Sequence, residues 1–216
     1  IEKAFNGEIP GVTTTAGGAM GLDYINNPLH LSPTLLKLAI NPFIIGIIES
    51  YFQRDAYLAE VDLRKVNPRT MDDLESFNGY TSSHWHYDVR GRQLKLMIYL
   101  TDVTEEDQNF AFCPGTHKPG FPQIVRSRTD RSKSRFPEGW PEANGLEIVE
   151  CYAKAGTALL FDTNAIHRLR RKPTRYRYSV TFYYTPGQEL RKLDFNPALL
   201  KNIPQDLHRV LGGKRV

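Results

Sequence analysis

A mainly β chain, folded as an antiparallel jelly roll or barrel behind a pair of N-terminal helices, is what the residues predict. From Tyr57 onward, apolar residues recur with strand spacing in eight short runs, and Gly and Pro cluster between them. No helical pattern alternates with those runs, which argues against a parallel βαβ sheet. A length of 216 residues with 40% hydrophobic content is most economically one domain around one core.

Residues 1–30 are rich in Gly, Thr and Asn and are expected to be irregular chain. Ser32-Pro33 is a helix N-cap followed by proline at the first helical position, and Leu35, Leu36, Leu38, Ala39 and Ile40 follow. Asn41-Pro42 repeats the start signal, and the apolar residues through Gln53 give a second helix. The strands are then expected at 57–66, 84–89, 94–101, 109–113, 146–153, 157–162, 166–170 and 175–184. The last of these alternates most clearly. Tyr176, Tyr178, Val180, Phe182 and Tyr184 form an aromatic face suited to packing on the two helices. Arg175, Arg177, Ser179, Thr181 and Tyr183 form the opposite face, polar and mostly small, as in a barrel that leaves room for a ligand. One or two short helices close the chain, stopped by Gly212-Gly213. The expected layout is one domain over 1–216, with a helical part at about 31–54 and a jelly-roll core at about 57–186.

Charge gives little direction. A net +4 on 28 basic and 24 acidic side chains is a mild bias, and no aromatic-basic interleaving of the kind that stacks bases accompanies it, so no nucleic-acid partner is expected. Cys113 and Cys151 form neither a disulfide framework nor a CxxC pair, which fits a reducing, cytoplasmic setting. No apolar run approaching the roughly 20 residues of a bilayer span is expected, and no charged-then-apolar leader is seen, so no membrane role is expected. A chain that opens on Ile1 reads as a segment trimmed from something longer. Nothing in the residues sets an oligomeric state.

The chemistry concentrates in four positions. His86-Tyr87-Asp88 is followed 79 residues after Asp88 by His167, and ten residues later by Arg177. Two imidazoles and one carboxylate occupy one face of an octahedral metal and leave three positions open. Residues two apart on a strand share a side, so His86 and Asp88 can grip one ion while Tyr87 faces away. His-x-Asp by itself is weak among six histidines, since a lone strand histidine is more often a hydrogen-bonded structural residue. The surroundings strengthen it: the apolar run Leu94–Leu100, then Asn109-Phe110-Ala111-Phe112, the turn Pro114-Gly115-Thr116-His117-Lys118, and Ala155–Asp162 leading to His167.

That ordered set, over roughly residues 57–186, closely resembles the phytanoyl-CoA dioxygenase family of Fe(II)/2-oxoglutarate oxygenases. The resemblance implies a double-stranded β-helix, cupin-like, with His86, Asp88 and His167 as iron ligands. It implies Arg177 as the anchor of the distal 2-oxoglutarate carboxylate, with Arg175 its rival on the same face, and Met97 lining the co-substrate. A guanidinium suits that role because its planar fork gives a carboxylate two parallel, charge-assisted bonds. The cofactors implied are Fe(II), 2-oxoglutarate as co-substrate and O2. The reaction implied is hydroxylation of a C–H bond in a small organic substrate. Asp88 argues against the halogenating members, which carry a small residue there. Two departures stand out: Leu169 replaces the usual hydroxyl residue two places after the last histidine, and Thr116 replaces serine in the turn.

Other readings stay open. His84-Trp85-His86 is also a His-x-His pair as other cupins use, though without their following glutamate, so His84 reads as structural. A catalytically silent ligand-binding jelly roll is the bland alternative. His117 reads as fixing its turn. The basic, proline-containing stretch from Lys118 to Trp140 reads either as a substrate lid or as a solvated connection. Arg64, Arg90, Arg92, Lys95 and the Arg168–Lys172 run make an anionic or carrier-bound substrate electrostatically reasonable, unless these side chains face water.

Overall fold

The computed structural model describes residues 1–17, 21–70, 82–88, 92–118, 121, 134–187, 193 and 195–212. Two antiparallel five-stranded sheets face each other. The larger has the order β1 (Leu22–Asn26), β2 (Tyr57–Val66), β10 (Arg177–Thr185), β4 (Leu94–Tyr99) and β8 (Ala158–Asp162). The smaller runs β6 (Arg135–Phe136), β3 (Trp85–His86), β9 (His167–Leu169), β5 (Phe110–Phe112) and β7 (Val149–Cys151). The mainly β class and the two-sheet architecture are as the sequence predicts.

The helices start where their caps stand. The Ser32 hydroxyl accepts from the Thr34 amide at the head of α2 (Pro33–Ala39), and the Asn41 side chain accepts from the Phe43 and Ile44 amides at the head of α3 (Pro42–Phe52). The stretch Pro33–Phe52 is 20 residues long and apolar in composition. Asn41-Pro42 breaks it into two helices, and Leu36, Ala39, Ile45, Ile48 and Phe52 are buried in the main core cluster. Val180, Phe182 and Tyr184 meet them from the outer face of β10, and the Tyr184 hydroxyl donates to the Ala39 carbonyl at 2.8 Å. Each large apolar side chain buried this way contributes about 1.5–3 kcal/mol.

The sequence expectation misses elements whose pairing is non-local. β1 lies within the supposedly irregular first 30 residues, as does a short helix, Glu2–Phe5. β1 aligns along the edge of β2, Leu22 opposite Val66 and Asn26 opposite Asp62. β6 is two residues long and exists only because Trp85 and His86 pair with it. Of the strand expected at 84–89, the described residues are regular at Trp85–His86; beyond it the Asp88 amide donates to the Thr163 carbonyl at 2.8 Å. The chain ends in two 3-10 helices, Pro197–Asn202 and Gln205–Leu211, and Gly212 takes the left-handed cap (φ 81°).

Candidate metal centre

The inner faces of the two sheets bring the separated motifs together. β3 and β9 pair antiparallel with His86 directly opposite His167, and their rings lie 4.3 Å apart between centroids. Asp88 follows on the same side, its Oδ1 3.7 Å from His86 Nε2. One ligand atom from each of His86, Asp88 and His167 lies within 4.8 Å of the other two. Among the described residues no other group of three metal-capable side chains gathers in this way. Tyr87 points the other way and is buried beside Phe136.

Both imidazoles are oriented by the backbone. His86 Nδ1 lies 2.7 Å from the His84 carbonyl and His167 Nδ1 2.8 Å from the Ala165 carbonyl, so each Nδ1–H donates outward and each Nε2 lone pair faces the cluster. His84 thus serves through its carbonyl and stands outside the cluster. The turn expected from Pro114-Gly115-Thr116 fixes the start of β9: the Thr116 hydroxyl donates to the Cys113 carbonyl and accepts from the Ile166 amide, each at 2.8 Å. Threonine does here what a serine hydroxyl would do. His117 lines a mainly apolar groove.

Burial lowers both histidine pKa values, that of His167 to about 4 and that of His86 well below its usual range, where the neighbouring His167 lowers it further. Burial acts to raise the Asp88 pKa, but Lys95 and the two imidazoles outweigh it and hold the carboxyl well below its usual range. At neutral pH the set is therefore two neutral imidazoles and one carboxylate. A histidine whose folded pKa lies below its unfolded 6.5 binds fewer protons folded than unfolded as the pH drops toward 4. Its stabilising contribution is present above pH 6.5 and is lost on acidification through that window. The metal-free protein is expected to melt at progressively lower temperature from pH 7 to pH 4.5. A flat melting profile across that range, by circular dichroism, would show that these histidines are not buried neutral.

The cluster opens on a cavity of about 50 Å³ lined among others by Lys95, Met97, Phe110, Phe161, Leu169, Arg177 and Thr181. Met97 thus lines the cavity beside the cluster. Arg177 is buried at the first position of β10, its guanidinium donating to the Gln108 carbonyl at 3.1 Å and lying 5.4 Å from the Tyr99 ring. Its rival is elsewhere: Arg175 precedes the strand, is largely exposed, and forms a two-bond pair with Asp107 at 2.5 and 2.8 Å. Arg177 Nε, Ser179 Oγ and Thr181 Oγ1 are buried on the inner face of β10 with no hydrogen-bond partner among the described residues. Buried polar atoms of that kind call for a ligand that carries oxygens.

A second buried network was not read from the sequence. Asp62 accepts both Nε and Nη2 of Arg64 at 2.8 Å and the Tyr183 hydroxyl at 2.5 Å. The signal was present: Asp62 and Arg64 stand two apart on a strand whose neighbour, β10, turns a polar face inward. Much of the basic charge named near the site is also neutralised within the chain. Arg168 pairs with Glu138 and lies over Trp85, Arg170 pairs with Glu150, and Arg92 lies over Tyr51 and Phe52. The charge argument for an anionic primary substrate is weaker for it. Arg90 lies outside the described residues. So does most of the proposed lid: of its stretch only Lys118, Phe121 and residues 134–140 are described, and Arg135–Phe136 belongs to the smaller sheet.

The phytanoyl-CoA dioxygenase family matches residues 78–171. An ectoine dioxygenase of Nocardia farcinica is 24% identical over 157 residues, covering 63% of this chain and 50% of its own length. The chain therefore spans half the length of that curated relative. Among solved structures, HygX from Streptomyces hygroscopicus with nickel and 2-oxoglutarate superposes with a TM-score of 0.59 at 19% identity, over 93% of this chain and 84% of its own. The epimerase SnoN from nogalamycin biosynthesis, in complex with Fe3+ and α-ketoglutarate, gives a TM-score of 0.60 at 19% identity, over 85% of this chain and 72% of its own. At these identities the superpositions speak for the fold. The matched segment contains His86, Asp88 and His167, and over it the chain is similar to the phytanoyl-CoA dioxygenase family, while the superpositions show a shared two-sheet fold.

Proposed function

We propose that this chain is an Fe(II)- and 2-oxoglutarate-dependent oxygenase that hydroxylates a C–H bond of a small organic substrate, with His86, Asp88 and His167 as the iron ligands. One observation carries it: two neutral imidazoles and an ionised carboxylate converge within 4.8 Å, with both Nδ1 atoms held on backbone carbonyls. That donor set suits Fe(II) and leaves one face of the metal open. When bound, the iron supplies oxidising chemistry on O2, coupled to conversion of 2-oxoglutarate to succinate.

The chain supplies binding and exclusion of water. Arg177 is the buried cation suited to the distal carboxylate of the co-substrate, and Thr181 Oγ1, in the same cavity, has capacity for a further bond. Leu169, buried at the cavity wall, cannot supply the hydroxyl contact that relatives place there. A neighbouring groove lined by Ile47, Tyr51, Phe112, Leu159 and Leu160 meets the cavity at Phe110 and Phe161, and it is mainly apolar. The primary substrate accordingly presents an apolar part toward that aromatic wall.

The deciding experiment is anaerobic titration with Fe(II) and 2-oxoglutarate, followed by a succinate-release screen over candidate small molecules. Uptake of one iron per chain with substrate-dependent succinate is expected. No metal uptake and no turnover would instead favour a silent ligand-binding jelly roll. Loss of metal on His84→Ala, with Asp88→Ala unaffected, would favour the His-x-His alternative.

A further inference from the structure

Lys95 is a lysine on the inner face of a barrel strand. On β4, Leu94, Leu96 and Ile98 face the helix-backed core, while Lys95, Met97 and Tyr99 face inward. Lys95 stands opposite Tyr183 on one neighbouring strand and Phe161 on the other. Its side chain is only 13% exposed, and a lysine this buried needs a fixed partner. The partner is Asp88: Lys95 Nζ donates to Asp88 Oδ2 at 2.6 Å. The other oxygen, Oδ1, is the one turned toward His86 Nε2. Tyr183 supports the arrangement from behind. Its ring lies 4.9 Å from Lys95 Nζ, and its hydroxyl is fixed on the buried Asp62–Arg64 pair.

We propose that Lys95 is a positioning residue that occupies Asp88 Oδ2 and so restricts the carboxylate to one metal bond, through Oδ1. The inference rests on the iron-centre reading above and deepens it. The consequence is a count of positions. An octahedral metal held by two imidazoles and one carboxylate oxygen keeps three positions; a chelating co-substrate takes two and leaves one for O2. If Asp88 chelated with both oxygens, the co-substrate would fill what remained. An ammonium is well matched to this role, being a compact point charge with three donors, small enough to satisfy one oxygen without covering the other.

The test uses nitric oxide as a probe of the last position. Wild-type protein and Lys95→Met are loaded anaerobically with Fe(II) and 2-oxoglutarate, exposed to nitric oxide, and compared by electron paramagnetic resonance. Lys95→Met is expected to take up one iron per chain but to bind nitric oxide about 10–100-fold more weakly, the scale on which activity falls when a residue that orients a metal ligand is removed. Lys95→Arg, which keeps a charged donor, is expected to restore most of the signal. Lys95→Ala carries the same test should methionine disturb the interior. Equal nitric oxide affinity in wild type and Lys95→Met overturns the role of Lys95 alone. Loss of iron itself from Lys95→Met also overturns it, because Lys95 would then be needed for metal retention and not for an open position. Absence of iron from the wild-type protein is a different result and sinks the oxygenase reading.

Discussion

Asp88→Ala is expected to lose iron and, with it, substrate-dependent succinate formation. Asp88 is the one anionic side chain of the proposed ligand set, and without it the two imidazoles would give a metal only two protein bonds. Removing groups that merely orient a ligand costs about 10–100-fold in metal affinity or activity, so removing a ligand is expected to exceed that. The substitution has a second effect. Lys95, mostly buried, loses its only acid partner among the described residues, and breaking a buried pair costs up to about 3–5 kcal/mol. Asp88→Asn separates the two. An amide oxygen still accepts from the Lys95 ammonium, so stability is expected to recover more than iron binding does. Metal content after anaerobic loading, read beside a thermal melt, checks both. An Asp88→Ala protein that retains iron and turns over normally would show that Asp88 is no ligand.

Arg177→Ala is expected to raise the KM for 2-oxoglutarate by roughly 30-fold or more, corresponding to the 2–5 kcal/mol lost when one partner of a buried charge pair is truncated. Arg175→Ala is expected to change it less than about fivefold, because Arg175 is largely exposed, is turned onto Asp107 and does not touch the cavity. The contrast is sharp because both residues lie on the same face of the sequence pattern. Their surroundings differ: Arg177 is buried above Tyr99, whereas Arg175 is turned outward onto Asp107. Initial rates of succinate release at varied co-substrate measure the effect. Equal shifts in KM, or a larger one for Arg175→Ala, would reject Arg177 as the anchor.

Much of the fold is legible locally. Strand β2 has the expected bounds, Tyr57–Val66, because ten residues of sustained strand pattern define their own element. Both helices begin at the expected caps because Ser32 and Asn41 satisfy the first amides from one residue outside each helix. β1 and β6 were not legible, because a short strand at a sheet edge carries too few residues to show a period and is defined by its partner. The Asp62–Arg64–Tyr183 network is not legible in the sequence because Tyr183 lies about 120 residues from the other two and meets them only across paired strands.

Short-range chemistry along the chain sets the kind of fold and the residue types that can hold a metal, since alternation, caps and the His-x-Asp spacing act over a few residues. Which side chains converge is a property of the folded molecule alone. The register of β3 on β9 sets His86 opposite His167, the start of β10 turns Arg177 inward and leaves Arg175 outside, and the pleat of β4 aims Lys95 at Asp88. A shift of one residue in any of those pairings would send the side chains to the opposite face, and no local pattern fixes a register between segments 80 residues apart.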